Sequence, residues 1–144
     1  MSDMEKSLSA EFDTIVRAFD CDGQMATKCR ALLAVVDSEM DEFAAYYWDY
    51  WVSFGNTEQL RNPDYIAVMV KSTANYIRER MRDIKGTTWR EYLKAQIIAA
   101  CKDRVPLGHL LAASTRASLR YFDIFDAKLE ASDPKRDQLM KTVH

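Results

Sequence analysis

Histidine and cysteine are the side chains most used in transition-metal sites and nucleophilic catalysis, and this chain holds few of either: His109 and His144, with Cys21, Cys29 and Cys101. A di-iron bundle takes a Glu-x-x-His pair from each of two helices. Here Pro106 stands three residues before His109, and Lys141 three before His144. Cys21 and Cys29 lie eight apart and supply only part of a zinc set, because a closed zinc site takes about four ligands. Ser114 and Ser118 follow His109 closely enough to serve as nucleophiles of a hydrolytic triad. Neither a nucleophile-elbow motif nor a glycine-rich oxyanion loop accompanies them, and no glycine-rich phosphate loop occurs. The run Arg78-Glu79-Arg80-Met81-Arg82-Asp83 mixes charges at helical spacing and reads as a solvated helix face. Three cysteines without a CxxC pair predict reduced, buried thiols, not a disulfide framework.

The richest local chemistry is aromatic. In the stretch Phe43-Ala44-Ala45-Tyr46-Tyr47-Trp48-Asp49-Tyr50-Trp51, Phe43, Tyr47, Trp51 and Phe54 fall on one helical face. Tyr46 and Tyr50 fall on an adjacent face, and Trp48 points in a further direction. Such a stripe serves a core, since each ring buries ~150–250 Å², or it lines a pocket. A helix aromatic nearly all round needs more than one neighbour to cover it. The extra cover is expected to be a ligand or a second subunit.

The elements that position these residues follow from punctuation. The chain has 144 residues, 48% of them hydrophobic, enough for one well-cored domain spanning 1–144. A net charge of -2 lacks the basic footprint of nucleic-acid binding. Apolar runs are far shorter than the ~20 residues of a membrane span. The polar, acidic start Met1-Ser2-Asp3-Met4-Glu5-Lys6 differs from the basic, then apolar, pattern of a signal peptide, and a cytoplasmic location is expected. Gly23, Gly55, Pro63, Gly86, Pro106 and Pro134 divide the chain into helix-sized pieces.

Leu8, Phe12, Ile15, Val16 and Phe19 predict an amphipathic helix over about residues 3–19. Met25, Cys29, Leu32, Leu33 and Val36 predict a second. Asp37 or Ser38 then caps a third, running to about Phe54. Pro63 opens a long helix faced by Ile66, Val70, Thr73, Ile77, Met81 and Ile84. Thr87 or Thr88 caps the next, whose apolar side carries Trp89, Leu93, Ile97 and Ala100 until Pro106 interrupts it. Another long helix follows from Leu107 through Leu110 and Leu111 to Leu129. Its middle is made of Ala112, Ala113, Ser114, Ala117 and Ser118, small enough for another helix to approach closely. Pro134 opens a last segment through Leu139 to Val143. No piece shows the period-2 alternation of a strand, so the fold class is all-α with about seven unequal helices, which favours crossed, globin-like packing over an up-and-down bundle.

The order of these features resembles the sensor globin domain of bacterial globin-coupled sensors. The shared features are an extra N-terminal helix, the aromatic helix FAAYYWDYW, a Pro-started long helix, and TTWREYLKAQIIAACKDRVPLGHLL with its landmarks Tyr92, Ile97 and Val105-Pro106. The resemblance implies a globin-like fold with an extra N-terminal helix, and a heme whose iron is held by a proximal histidine before the Val-Pro turn. It also implies a distal tyrosine, matched by Tyr47 with Tyr46 as its neighbour in register. At the proximal position the chain departs from the family. No histidine occurs between Trp89 and Gly108, and counting back from Pro106 the family's histidine falls on Ala100 or, one residue shifted, on Cys101. Alanine cannot bind iron. A thiolate can, with Lys102 and Arg104 as neighbouring cations, but the ordinary reading of Cys101 is a small buried hydrophobe. His109 lies beyond the Pro turn and off the family's ligand position.

The expected protein is therefore a non-enzymatic, heme-free regulatory domain. It dimerises through its two C-terminal helices at Leu110, Ala113, Ala117 and Leu139. The resemblance places it ahead of an output module such as a diguanylate cyclase, a chemotaxis transducer or a kinase. The alternatives are a heme-bound gas sensor using Tyr47, Tyr46, Cys101 or His109, and an interaction domain with no ligand.

Overall fold

A computed structural model describes residues 2–55 and 57–128, apart from the side chain of Phe125. Among them are six α-helices and no strand: α1 (Asp3–Phe19), α2 (Met25–Val36), α3 (Met40–Phe54), α4 (Pro63–Arg82), α5 (Thr88–Lys102) and α6 (Leu107–Lys128). A 3-10 turn, Asp37–Glu39, joins α2 to α3 without a break, so with that run counted as one the described residues hold five helices. The segment expected from Pro134 to Val143, with Leu139 and the following His144, lies outside the described residues.

Helix boundaries follow the local chemistry. Ser2 and Glu5 close a capping box on α1, each side chain accepting from the other's backbone N–H at 3.2 and 2.7 Å. Asn62 caps α4 by accepting from the Asp64 N–H at 3.0 Å, with Pro63 in the first turn. Two expected caps are not made. Asp37 and Ser38 fall in the 3-10 turn, because Arg78 of α4 reaches across to hold Asp37 (Nε–Oδ1, 2.6 Å) and Asp41 (Nη1–Oδ1, 3.1 Å). Arg78 is therefore more than a solvated charge: it ties α4 to the start of α3. Thr87 occupies the N-cap of α5 without a side-chain hydrogen bond.

Helix α4 packs on α2, α3 and α5, while α6 lies against α3 and α2. The main core is Leu32, Val36, Met40, Phe43, Ala44, Ala74, Ile77, Met81 and Ile124, drawn from α2, α3, α4 and α6. Ala44 and Ala74 are both fully buried, which lets α3 and α4 approach closely. The predicted apolar face of α4 is confirmed by burial of Thr73, Ile77 and Met81, and Ile84 is buried just beyond the helix. A smaller cluster, Cys29, Ile84 and Trp89, collects Val16, Met25 and Leu93 on the side where α1 meets α5.

The predicted face of α1 is only half used. The helix has no buried residue, and Ile15 and Phe19 are 51% and 65% exposed. The cysteine expectation is corrected as well. Cys29 is buried, whereas Cys21 and Cys101 are exposed, one just past the end of α1 and the other in the last turn of α5. The small residues of α6 divide by direction. Ala113 is buried at 1% exposure and Ala117 packs on the main core, so the close approach they allow is to the chain's own helices. Leu110 is half-buried, and Leu107, Leu111 and Leu119 are exposed.

Candidate functional site

The aromatic helix α3 is read on several sides by side chains from α4 and α6. On the side facing α6, Phe43 packs on Tyr121 with ring centroids 4.2 Å apart. One turn on, the Arg116 guanidinium lies 4.2 Å over the Tyr46 ring, and Arg120 approaches the same ring at 5.6 Å. Arg120 also binds Glu42 of α3 (Nη2–Oε1, 2.7 Å). At the far end of α3, Tyr50 Oη and His109 Nδ1 share a hydrogen bond of 2.7 Å. The hydroxyl donates when Nδ1 is bare and accepts when Nδ1 carries the proton. On the α4 side, Trp48 Nε1 donates to Thr73 Oγ1 at 2.8 Å. Tyr76 and Tyr92 stack at 4.8 Å where α4 meets α5. The chain's own helices supply part of the cover: Phe43 is buried, Tyr46, Tyr47, Trp48, Tyr50 and Trp51 are half-buried, and Phe54 is 57% exposed.

Burial sets the chemistry of these groups. It raises the pKa values of the Tyr47 and Tyr92 hydroxyls, and that of the Cys29 thiol, so all three favour their neutral forms. Tyr121 is pushed up to about 12 by the same cause, and its hydroxyl is buried with no hydrogen-bond partner among the described residues.

Of the four residues expected around a heme, two share a neighbour. Trp51 stands between Tyr47 and His109, its ring centroid 6.4 Å from each. Tyr46 points to the two arginines of α6, and Cys101 is exposed at the end of α5. No sequence signal pairs Tyr50 with His109, because an i, i+4 pattern describes one helix and says nothing of which helix it will face. The serines are not aimed at His109. Both are exposed, and Ser118 Oγ donates to the Ser114 carbonyl of its own helix at 3.1 Å. Among the described residues no group of three or more His, Cys, Asp or Glu is placed to hold a metal ion, and no helix is long and apolar enough to cross a membrane.

Comparison of the chain with protein-family models, curated proteins and solved structures finds no match. At the position where the globin resemblance implies an iron ligand, the residues do not fit that role. That position is Ala100 or the exposed Cys101, while His109, off that position, hydrogen-bonds Tyr50 through Nδ1 and Tyr47 faces Trp48 and Trp51. What the arrangement does provide is mechanical. Helices α3 and α6 are clamped at three levels by contacts of different chemistry: an aromatic pair, a guanidinium over a phenol ring, and a phenol–imidazole hydrogen bond.

Proposed function

We propose that this chain is a heme-free regulatory sensor domain of globin-like type. It acts by helix packing rather than catalysis, works as a homodimer, and passes its signal to an attached output module such as a diguanylate cyclase. The observation that carries the reading is the two-sidedness of α6. One side is clamped to α3 through Tyr121, Arg116 and His109, while Leu107, Leu111 and Leu119 of the other side are 60–69% exposed. A rigid helix held in this way transmits a shift of the aromatic helix to whatever covers its leucines.

The dimer positions anticipated at Ala113 and Ala117 are replaced in this proposal by Leu111 and Leu119, since the alanines already serve the chain's own core. Light scattering of the purified chain and of a Leu111→Glu/Leu119→Glu variant tests it. A dimer that becomes a folded monomer in the variant supports the reading, and a monomeric parent chain overturns its dimeric part. An absorption scan from about 350 to 700 nm with added hemin tests the rest. Featureless uptake supports a heme-free domain, and a sharp, saturable Soret band overturns it.

A further inference from the structure

We infer that α6 pairs antiparallel with the α6 of a second copy, about a twofold axis at Thr115. The inference rests on the dimer reading above and fixes its geometry. On α6, Ala113, Ala117 and Ile124 face the chain's own core. The opposite side carries Leu111 and Leu119, each 60% exposed, with Ala112, Thr115 and Ser118 exposed between them. Small side chains at the middle of such a strip let a second helix come close, and a leucine at either end can close over it.

Symmetry restricts the register. In an antiparallel twofold pair a residue faces the one equally far beyond the axis, so two leucines cover each other twice. With Leu107 included, there are three ways to set one leucine on another. Pairing Leu107 with Leu119 puts the axis at Ala113, which is 1% exposed. Pairing Leu107 with Leu111 puts it at the half-buried His109 and leaves Leu119 uncovered. Pairing Leu111 with Leu119 centres on an exposed residue, Thr115. The same register sets Phe122 of one copy opposite Gly108 of the other, whose Cβ position has open space around it.

Charge selects antiparallel over parallel. At one end, Lys102, Asp103 and Arg104 lead into α6, all exposed and net positive. At the other, Asp123 and Asp126 are exposed, and Lys128 is held by Glu39 of its own chain (Nζ–Oε1, 3.2 Å). A parallel pair lays each end on its own copy, like charge on like, whereas the antiparallel pair lays the acidic end on the basic one. Between the ends, residues 107–115 include no carboxylate, lysine or arginine to oppose burial. The Lys128 positions of the two copies then stand roughly 40 Å apart along the pair, so each output module follows its own α6.

Cysteine cross-linking tests the geometry. In a full chain cleared of exposed thiols by Cys21→Ser and Cys101→Ser, Thr115→Cys, Leu111→Cys and Leu119→Cys are made singly, and the two leucine changes also together. On mild oxidation the Thr115→Cys chain and the double chain should become disulfide-linked dimers, while the single leucine variants stay unlinked. In this register Leu111 lies about 12 Å from its own copy, beyond disulfide reach. Linking by Leu111→Cys and Leu119→Cys singly is the parallel pattern, which overturns the inference and leaves the dimer reading standing. A chain that is monomeric by light scattering overturns the dimer reading and the inference with it. A second readout does not depend on disulfide geometry: a Leu111→Glu chain is mixed with a Leu119→Lys chain, both changes being at exposed positions. Each alone should lose dimer affinity at least about tenfold, because its charge is set twice against a leucine. The mixture should recover it, since only antiparallel pairing brings Leu111→Glu against Leu119→Lys. Recovery supports the register, and its absence overturns it.

Discussion

The core between α2, α3, α4 and α6 and the flank between α1 and α5 hold together by different means. In the core, residues such as Val36, Met40, Phe43, Ala44 and Ala74 are at or below 3% exposure, and close packing supplies the stability. In the flank the helix contributes no buried residue, and the joint relies on ion pairs, one hydroxyl, a tilted aromatic pair and the half-buried Val16. Exposed ion pairs contribute little, typically ~0–1 kcal/mol each, while a buried aromatic side chain contributes several times that. The two regions should therefore respond very differently to similar substitutions, and one molecule can be both firm and separable.

The largest contrast comes from removing one phenylalanine on each side. Phe43→Ala empties a site in the main core beside Tyr121, and we expect a loss of ~3–5 kcal/mol in urea denaturation. Phe12→Ala removes a half-buried ring, and we expect about 1 kcal/mol or less. Equal losses at the two positions would break the comparison and make α1 part of the same cooperative unit.

A subtler test lies at Tyr121, whose buried hydroxyl has no hydrogen-bond partner among the described residues. Replacing it with phenylalanine removes that group and keeps the ring, so we expect a stability change between zero and a gain of about 1 kcal/mol. The same substitution should change the alkaline limb. Because the folded-state pKa is raised from 10.0 to about 12, Tyr121 contributes stability fully below pH 10.0 and loses it as pH rises toward 12. Thermal melts of Tyr121→Phe should therefore fall less steeply over that range.

The smallest effect belongs to the turn after α1. Asp20 accepts from the Met25 N–H at 3.0 Å and pairs with Lys85, and Asp22 pairs with Lys28 (2.9 Å) and accepts from the Gln24 N–H. These contacts hold both carboxyls below the usual 3.8. A depressed carboxyl contributes stability above its unfolded value and loses it as pH falls through the folded one. An Asp20→Asn chain should be slightly less stable than its parent near neutrality and converge with it as pH falls below about 4, giving a flatter acid limb in a fluorescence titration.

Much of this architecture was legible from punctuation. Gly23, Pro63 and Pro106 stand where helices begin or end, since glycine reaches the left-handed backbone (φ 69° at Gly23) and proline is tolerated in a first helical turn. The spacing of Thr73, Ile77 and Met81 correctly marked the inward face of α4. What periodicity could not reveal was which helix each face would meet. Asp37 reads locally as a cap, because nothing near it announces Arg78, forty-one residues away in sequence. Ala113 suits a partner as well as it suits the chain's own core, because small residues permit close approach without specifying to what. Nothing in the sequence marks Lys94, because a lysine near an apolar stripe normally reaches solvent, whereas here Ser9 and Glu91 hold its amine in place at 3.2 and 2.6 Å. The candidate site was partly legible in the same sense: the aromatic residues of α3 were evident, but Tyr50 as the partner of His109 was not.

The sequence distance across the flank also matters during synthesis. Asp13 and Arg90 are separated by 77 residues. At a translation speed of roughly 5–20 residues per second, α1 leaves the ribosome roughly four to fifteen seconds before its receptor on α5 has been made. Throughout that interval Phe12 and its apolar neighbours have no native surface to cover them. The nascent chain thus passes through a stage in which the first helix is the part most open to chaperones and to other chains.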